Sequence, residues 1–533
     1  MKLKKIILCL LPLLLSSALL PAGENHIAEK TLIVSLDSSE IEFNTIQSFS
    51  ATEAQLFSGI HEGLVSYHPF TLDPLPGVAI RWETDESGKI YTFYLREDAL
   101  YWNGDQVTAS DFRETWMMLL DPSQAAPYSF LLDPVKGAKA FRTGENKDPE
   151  TVGIRVIADH ILEIELESPA DYFLKILCHH SFSPLHPQIR QIIAEGGEAP
   201  GLGNGPFYIY KNDEDGMIFL RNELYWDVKD VNLQQIKFIY NDDETLEAEL
   251  FNQGEIHWSM GNILLDDVLN RQSVVINPLF ATTYYFFSSK TPPFDNPDVR
   301  RALALLLPWD EIRSTDFHYT PAASLIPSLD DYPEAAGIQE QDLETARELL
   351  AKAGYPEGEG LPELLIKLPQ GLLQSRTANL IMESWKKHLK TEVNFQSLPS
   401  ALYYNSLKEP GYTLGTVTWI GDFADPLTFL QMWASDSNLN DGGYSRNQYD
   451  ELLNQAASQI GKKRLITLSK AEEFLLNDGT VMPISHQPAF NVVDLLSVHG
   501  WYPNPLDIHP FKYMEFSIPE LPDNIVMAPT FDY

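Results

Sequence analysis

Cysteine is almost absent from this sequence: two occur in 533 residues, Cys9 and Cys178. Cys9 sits inside an amino-terminal apolar run. Cys178 is then left alone, which excludes an intramolecular disulfide framework. A core must hold the fold, and 44% hydrophobic and 11% aromatic residues supply one. Positive charge is also scarce. Lys and Arg total 38 against 75 Asp and Glu, a formal net charge of −37. Such a surface repels phosphate backbones and anionic headgroups, so no nucleic-acid partner and no basic membrane patch is expected. Beyond the amino terminus no apolar stretch approaches the ~20 residues of a membrane span. GxSxG, HExxH and P-loop motifs are missing, which removes the usual grounds for proposing an enzyme or a cofactor.

Three partial motifs fail on their context. Gly201-Leu202-Gly203-Asn204-Gly205 leads into a strand rather than a helix, so no helix N-terminus awaits a phosphate; it reads as a flexible turn. Asp213 and Asp215-Gly216 hint at a calcium loop, but Lys211 and Asn222 occupy the end positions that need carboxylates. His179-His180 suggests a metal pair, yet adjacent residues on a strand point to opposite faces. No metal site is expected.

The first residues have the order of a secretory signal. Lys2, Lys4 and Lys5 precede the apolar run Ile6–Leu15, and small residues follow at Ser16, Ser17, Ala18 and Ala22. Residues 1–22 are expected to be a cleaved signal peptide. Cys9 lies in the apolar stretch with Leu8 before it, a poor fit to a lipoprotein signal. The remainder exceeds the ~250–300 residues of a single core, so two or more lobes are expected. Strand and helix patterns alternate irregularly, which reads as mixed α/β. Thr108 caps a helix to Leu120, stopped by Asp121-Pro122; Asn296 with Pro297, and Asp342, begin two others. Ile154–Ile157 and Ile161–Leu166 pair across a turn, Phe207–Lys211 pairs with Met217–Arg221, and Leu414–Ile420 is an apolar, β-branched strand.

The string YTFYLREDALYWNGDQVTASDFRETW from Tyr91 resembles the signature region of the peptide/nickel solute-binding proteins of ABC importers. The likeness extends through EGLVSYHP (Glu62–Pro69), NGPFYI with RNELYWD (Asn204–Asp227), PPFDNPDVRRALAL (Pro292–Leu305) and WIGDFADPLTFL (Trp419–Leu430). In order and spacing it covers about Thr31 to Phe516. Within that group the sequence is similar to periplasmic oligopeptide-binding proteins. The resemblance implies a two-lobed α/β fold of the periplasmic-binding-protein kind, with an extra domain and a ligand cleft between the lobes. Lobe I would combine 24–62, 188–279 and 489–533, the extra domain 63–187, and lobe II 280–488. It further implies an exported, periplasmic, monomeric importer component. Its partners would be an oligopeptide ligand and the transmembrane permease subunits.

Site residues follow from the same resemblance. Asp422 would hold the peptide's α-amino group, a charge-assisted contact; as a bare sequence feature it also reads as a turn residue before Ala424-Asp425-Pro426. Thr416–Ile420, with Thr418 and Ile420, would offer a strand edge to the ligand's main chain. Phe49-Ser50-Ala51 would oppose it from lobe I. Trp419, Tyr128, His179, Tyr284 and His486 would shape pockets, or be ordinary core residues. Leu407 and Thr416 stand where relatives place basic side chains, and Ser400 where they place a tryptophan, so carboxyl-terminal anchoring is expected to be weakened or moved. A muropeptide, glutathione, haem or metal chelate on the same fold is the alternative, ahead of a cleft peptidase or a chaperone.

Overall fold

The computed structural model describes residues 30–37, 41–48, 50–199, 201–314 and 318–518. The expected signal peptide, Phe49 and the chain end after 518 lie outside these residues. One eleven-stranded sheet runs through most of the molecule. Its labelled strands are β1 (Thr31–Leu36), β2 (Phe207–Asp213), β3 (Gly216–Arg221), β4 (Gln235–Tyr240), β5 (Trp258–Ser259), β6 (Val274–Phe287), β7 (Leu364–Pro369), β8 (Val393–Leu398), β9 (Leu414–Ile420) and β10 (Val481–Val493). The spatial order is β8-β7-β9-β6-β10-β5-β1-β4-β3-β2, and the short strand Thr320–Pro321 pairs with β10.

Two long strands, β6 and β10, join the halves of this sheet. Val274–Pro278 pair with Val492–Pro488, and Thr282–Phe286 pair with His486–Val481. Between these stretches the register shifts, around Pro278 and Pro488. Proline removes a ladder donor and belongs at such irregularities. Each half has its own core. Leu32, Val34, Phe219, Phe238, Trp258 and Phe511 fill one; Phe287, Val299, Leu303, Ile366, Trp385 and Val393 fill another. A separate antiparallel sheet, Ala79–Thr84, Ile90–Leu95, Ile161–Glu165 and Ile154–Ala158 in that spatial order, belongs to the chain between the first two strands of the large sheet. The helix Ala109–Leu120 covers it, closed at its start by a Thr108–Asp111 capping box. Trp116 is fully buried there and its indole N–H donates to the Phe182 carbonyl at 3.0 Å.

The locally signalled elements are present. Asn296 and Asp342 cap their helices through side-chain oxygens, and the hairpin of β2 and β3 turns at 214–215. Two readings need correction. The glycine-rich segment 201–205 is a close-packed crossing, not a flexible turn. A Cβ on Gly203 would lie 1.8 Å from the Ile60 carbonyl oxygen, and one on Gly205 would lie 2.6 Å from the Ile60 carbonyl carbon. Between them, buried Asn204 accepts from the Glu62 N–H and donates to the Glu62 carbonyl. Gly203→Ala is therefore expected to destabilise the protein by about 3 kcal/mol, the upper range for overpacking, measured by urea unfolding. The second correction concerns His179 and His180, which are not on a strand. His179 caps a 3₁₀ turn, and the two rings lie 4.1 Å apart on the same side.

Candidate functional site

A cavity of about 1090 Å³ lies between the two halves. The amino-terminal side contributes helix α1 (Ala51–Ile60) and residues Tyr67, Tyr128 and His179; the carboxyl-terminal side contributes β9 and its following loop. The chain that carries the small separate sheet touches the carboxyl-terminal side around the cavity. Gln431 donates to the Phe130 carbonyl at 2.6 Å, and Asn438 to the Ala126 carbonyl at 2.8 Å. Arg142 donates to the Asp436 carbonyl at 2.8 Å, and the Tyr67 hydroxyl donates to the Asp422 carbonyl at 2.9 Å.

Asp422 is a buried carboxylate in the cavity lining. Its side chain is 8% exposed, and its carboxylate accepts from Thr428 Oγ1 at 2.8 Å and from the Tyr128 hydroxyl. The Thr428 hydroxyl also accepts the Asp422 N–H at 2.9 Å, fixing the loop on the side chain it serves. Among the described residues no Lys or Arg pairs with this carboxylate. His179 Nε2 stands 3.9 Å away, and burial with the neighbouring His180 holds that imidazole well below its ordinary pKa, hence neutral. Burial pushes the Asp422 pKa up to about 7 against the two hydroxyl bonds, which lower it. Buried carboxylates are ordinarily paired. Glu472 also lacks a cation among the described residues and is raised to about 7 by burial, but it accepts from the Leu325 and Ile326 N–H groups and the Tyr332 hydroxyl and does not line the cavity. Two other buried carboxylates each have a guanidinium. Asp425 has Arg464 at 2.7 and 2.8 Å; Asp133 has Arg142 at 2.6 and 2.7 Å. Thr428→Val is expected to lose about 1–2 kcal/mol of ligand affinity by freeing the carboxylate's orientation, read by calorimetry.

The strand beside it has one open edge. β9 pairs with β6 from Leu414 to Ile420 on one side, and with β7 only at Leu414 on the other. The Gly421 N–H donates to the Phe280 carbonyl on β6. Main-chain groups alternate in direction along a strand. Residues 417, 419 and 421 therefore face β6, and Thr418 and Ile420 present their N–H and C=O to the open edge.

Asp422, Trp419, Thr418, Ile420, Ser50, Ala51, Tyr128, His179 and Tyr284 all line the cavity. Ser50 and Ala51 are not on a strand: Ser50 is the N-cap of α1 and Ala51 its first residue. His486 does not line the cavity. Its ring nitrogens face Thr282 Oγ1 at 2.9 Å and Ser324 Oγ at 3.2 Å, so the side chain ties β10 to β6 and to the bend after Thr320–Pro321. Tyr284 is fully buried, its hydroxyl directed at Met432 Sδ. Leu407 is packed over Gly415, where an added Cβ would lie 2.9 Å from its Cδ2, and Thr416 Oγ1 donates to the Tyr284 carbonyl at 3.0 Å. Neither position supplies a basic side chain to this end of the cavity, where the exposed Lys408 is among the lining. The Ser400 side chain is outside those described. Among the described residues no group of three or more His, Cys, Asp or Glu is placed to hold a metal ion, and no helix is long and apolar enough to cross a membrane. Tyr67 and Thr428 were not signalled by sequence, because their roles exist only once the loop folds against them.

Comparison with known proteins then identifies the family. Residues 73–441 match the profile of the bacterial extracellular solute-binding proteins, family 5 middle region. The chain belongs to this family. It is 29% identical to the oligopeptide-binding protein OppA of Bacillus subtilis (strain 168) over 434 residues, covering 77% of this chain and 79% of that one. Among solved structures it superimposes on Haemophilus influenzae OppA in complex with RPPGFSPFR at a TM-score of 0.81, with 23% identity, covering 92% of this chain and 99% of that one. The Escherichia coli murein tripeptide binding protein MppA gives 0.81 with 24% identity, covering 92% and 98%. The two-lobed solute-binding fold of these family 5 proteins is the fold described above.

Proposed function

We propose that this protein captures oligopeptides outside the cytoplasm and delivers them to the transmembrane subunits of an ABC importer, as a binding protein without catalytic activity. The observation that carries the reading is Asp422: a buried carboxylate with no cationic partner among the described residues, facing a cavity large enough for a peptide. The ligand's α-ammonium supplies the missing charge. Its main chain adds to β9 at Ile420 and Thr418 as an extra strand. Trp419, Tyr128, His179 and Tyr284 form walls, and Ser50 with Ala51 closes the cavity from α1. Residues 24–62, 188–279 and 489–533 act as one lobe, 63–187 as its extra domain and 280–488 as the second lobe. The hinge is where β6 and β10 shift register. The exported chain, its signal removed, works as a monomer in the periplasm.

The test is the mass spectrum of protein purified without refolding and then denatured. A mixture of short peptides with free amino termini supports the reading. Absence of peptides, together with no heat of binding for any peptide tested, contradicts it.

The pH dependence follows from Asp422. In the empty site its pKa is about 7. An ammonium partner favours the charged carboxylate, so binding lowers that pKa and releases a proton. Affinity is full above pH 7 and falls below it by about tenfold per pH unit, until the pKa of the complex is reached. The peptide's amino group, with an ordinary pKa of ~7.7–8.0, loses its charge above that range. His179 stays neutral and Tyr67 and Tyr128 stay protonated throughout, each through burial. Calorimetry from pH 5.5 to 9 is expected to show strongest binding between about pH 7 and 8.

A further inference from the structure

We propose that Tyr403 plugs the open edge of β9 and ends main-chain reading of the ligand after its third residue; this rests on the peptide-binding reading above. Tyr403 belongs to helix α2 (Ser400–Leu407) and is fully buried. Its hydroxyl accepts the Thr416 N–H at 2.8 Å and donates to the Thr416 carbonyl at 2.7 Å. A single side chain thereby occupies both main-chain groups that Thr416 would offer a neighbouring strand. Thr418 and Ile420, two and four residues further along the same edge, have no such partner among the described residues.

Strand periodicity sets the consequence. With its amino group at Asp422, the ligand runs antiparallel to β9. Its first residue lies opposite Ile420, its third opposite Thr418, and its fifth would meet Thr416. The third residue exchanges N–H and C=O with Thr418. The fifth finds both Thr416 groups already bonded to the Tyr403 hydroxyl. The cavity does not end there, because Tyr404, Asn405, Lys408 and Asp441 also line it. Longer ligand chain is therefore accommodated, but it leaves the sheet edge. Tyr403 is thus a specificity-determining residue. It makes the site indifferent to the backbone amide of the fifth residue, while the amide of the third is read. The ligands this admits are peptides of more than four residues whose later amide nitrogens are substituted or absent.

Ester-for-amide pentapeptides test this on the wild-type protein. Three are compared by calorimetry at pH 7.5: the all-amide parent, one with an ester oxygen replacing the N–H of residue 3, and one with it replacing the N–H of residue 5. The residue-3 ester is expected to bind about tenfold more weakly than the parent, as for a lost hydrogen bond that leaves its partner facing an oxygen, and the residue-5 ester to bind within about twofold of it. A residue-5 ester as costly as the residue-3 ester overturns the plug. So does a parent that binds with neither ester mattering, an outcome that leaves the amino-terminal grip of Asp422 standing. A parent that does not bind at all removes the functional reading and the plug with it. In Tyr403→Ala, which opens the edge, the residue-5 ester is expected to become costly by about fivefold. A Tyr403→Ala protein that binds the parent and remains indifferent to the residue-5 ester counts against the plug.

Discussion

Asp422→Asn is expected to lower affinity for a peptide with a free amino terminus by roughly a hundredfold or more, about 3 kcal/mol. The ligand ammonium would enter a closed, water-poor site and find an amide dipole in place of a carboxylate. The cost of leaving a charge buried and unpaired then falls on the complex. The empty protein responds in the opposite sense. Burial penalises the Asp422 charge, and no Lys or Arg among the described residues offsets it, so the asparagine variant folds at least as stably at pH 8. Fluorescence titration and urea unfolding on the same preparations separate the two effects. A variant that binds normally removes Asp422 from the site; one that fails to fold assigns it a structural role instead.

Arg464→Met is expected to destabilise the fold by about 3–5 kcal/mol, the range for breaking one side of a buried ion pair. Arg464 is 2% exposed. It meets Asp425 through two nitrogens, at 2.7 and 2.8 Å, and its guanidinium lies 3.9 Å from the centre of the Tyr172 ring. Asp425 in turn accepts the Leu427 N–H at 2.9 Å. The pair therefore pins the loop that carries Asp422, and Tyr172 holds the pair from the opposite side of the cleft. Peptide affinity should fall along with stability. Asp425→Asn added to Arg464→Met removes the uncompensated charge, and is expected to recover at least half of the lost unfolding free energy; a strictly additive double variant would show that the two residues do not act together.

What the sequence disclosed followed the range of the interactions. Thr108, Asn296 and Asp342 cap helices through bonds that span two or three residues, so local spacing was enough. The strand Leu414–Ile420 was legible from its β-branched run, and its alternation already implied that Thr418 and Ile420 share a direction. Asp422 was picked out by the resemblance around WIGDF, whereas turn chemistry alone explains an aspartate there equally well. Its partners were out of reach. Tyr67 precedes it by 355 residues, and nothing local marks a tyrosine whose hydroxyl will meet a distant carbonyl. Tyr403 was hidden for the same reason: its effect requires a helix packed beside a strand. Ser50-Ala51-Thr52-Glu53 has the spacing of a capping box, and α1 does start there. The Glu53 carboxylate is instead bonded by the Ser48 hydroxyl at 2.5 Å and the Glu42 N–H at 3.0 Å. His179 and His180 were misread because a turn brings together side chains that a strand would separate. His486 was misplaced because its partners, Thr282 across the strand pair and Ser324 in a bend, are invisible in one dimension.

The central claim is that the Asp422 carboxylate takes the ligand's amino group, and one peptide pair tests it most directly. A peptide recovered with the protein is resynthesised with a free and with an acetylated amino terminus, and both are titrated into wild-type protein at pH 7.5. The free amino form is expected to bind at least about a hundredfold more tightly, as for an unpaired buried carboxylate that gains its cation. Equal affinity of the two forms would contradict it.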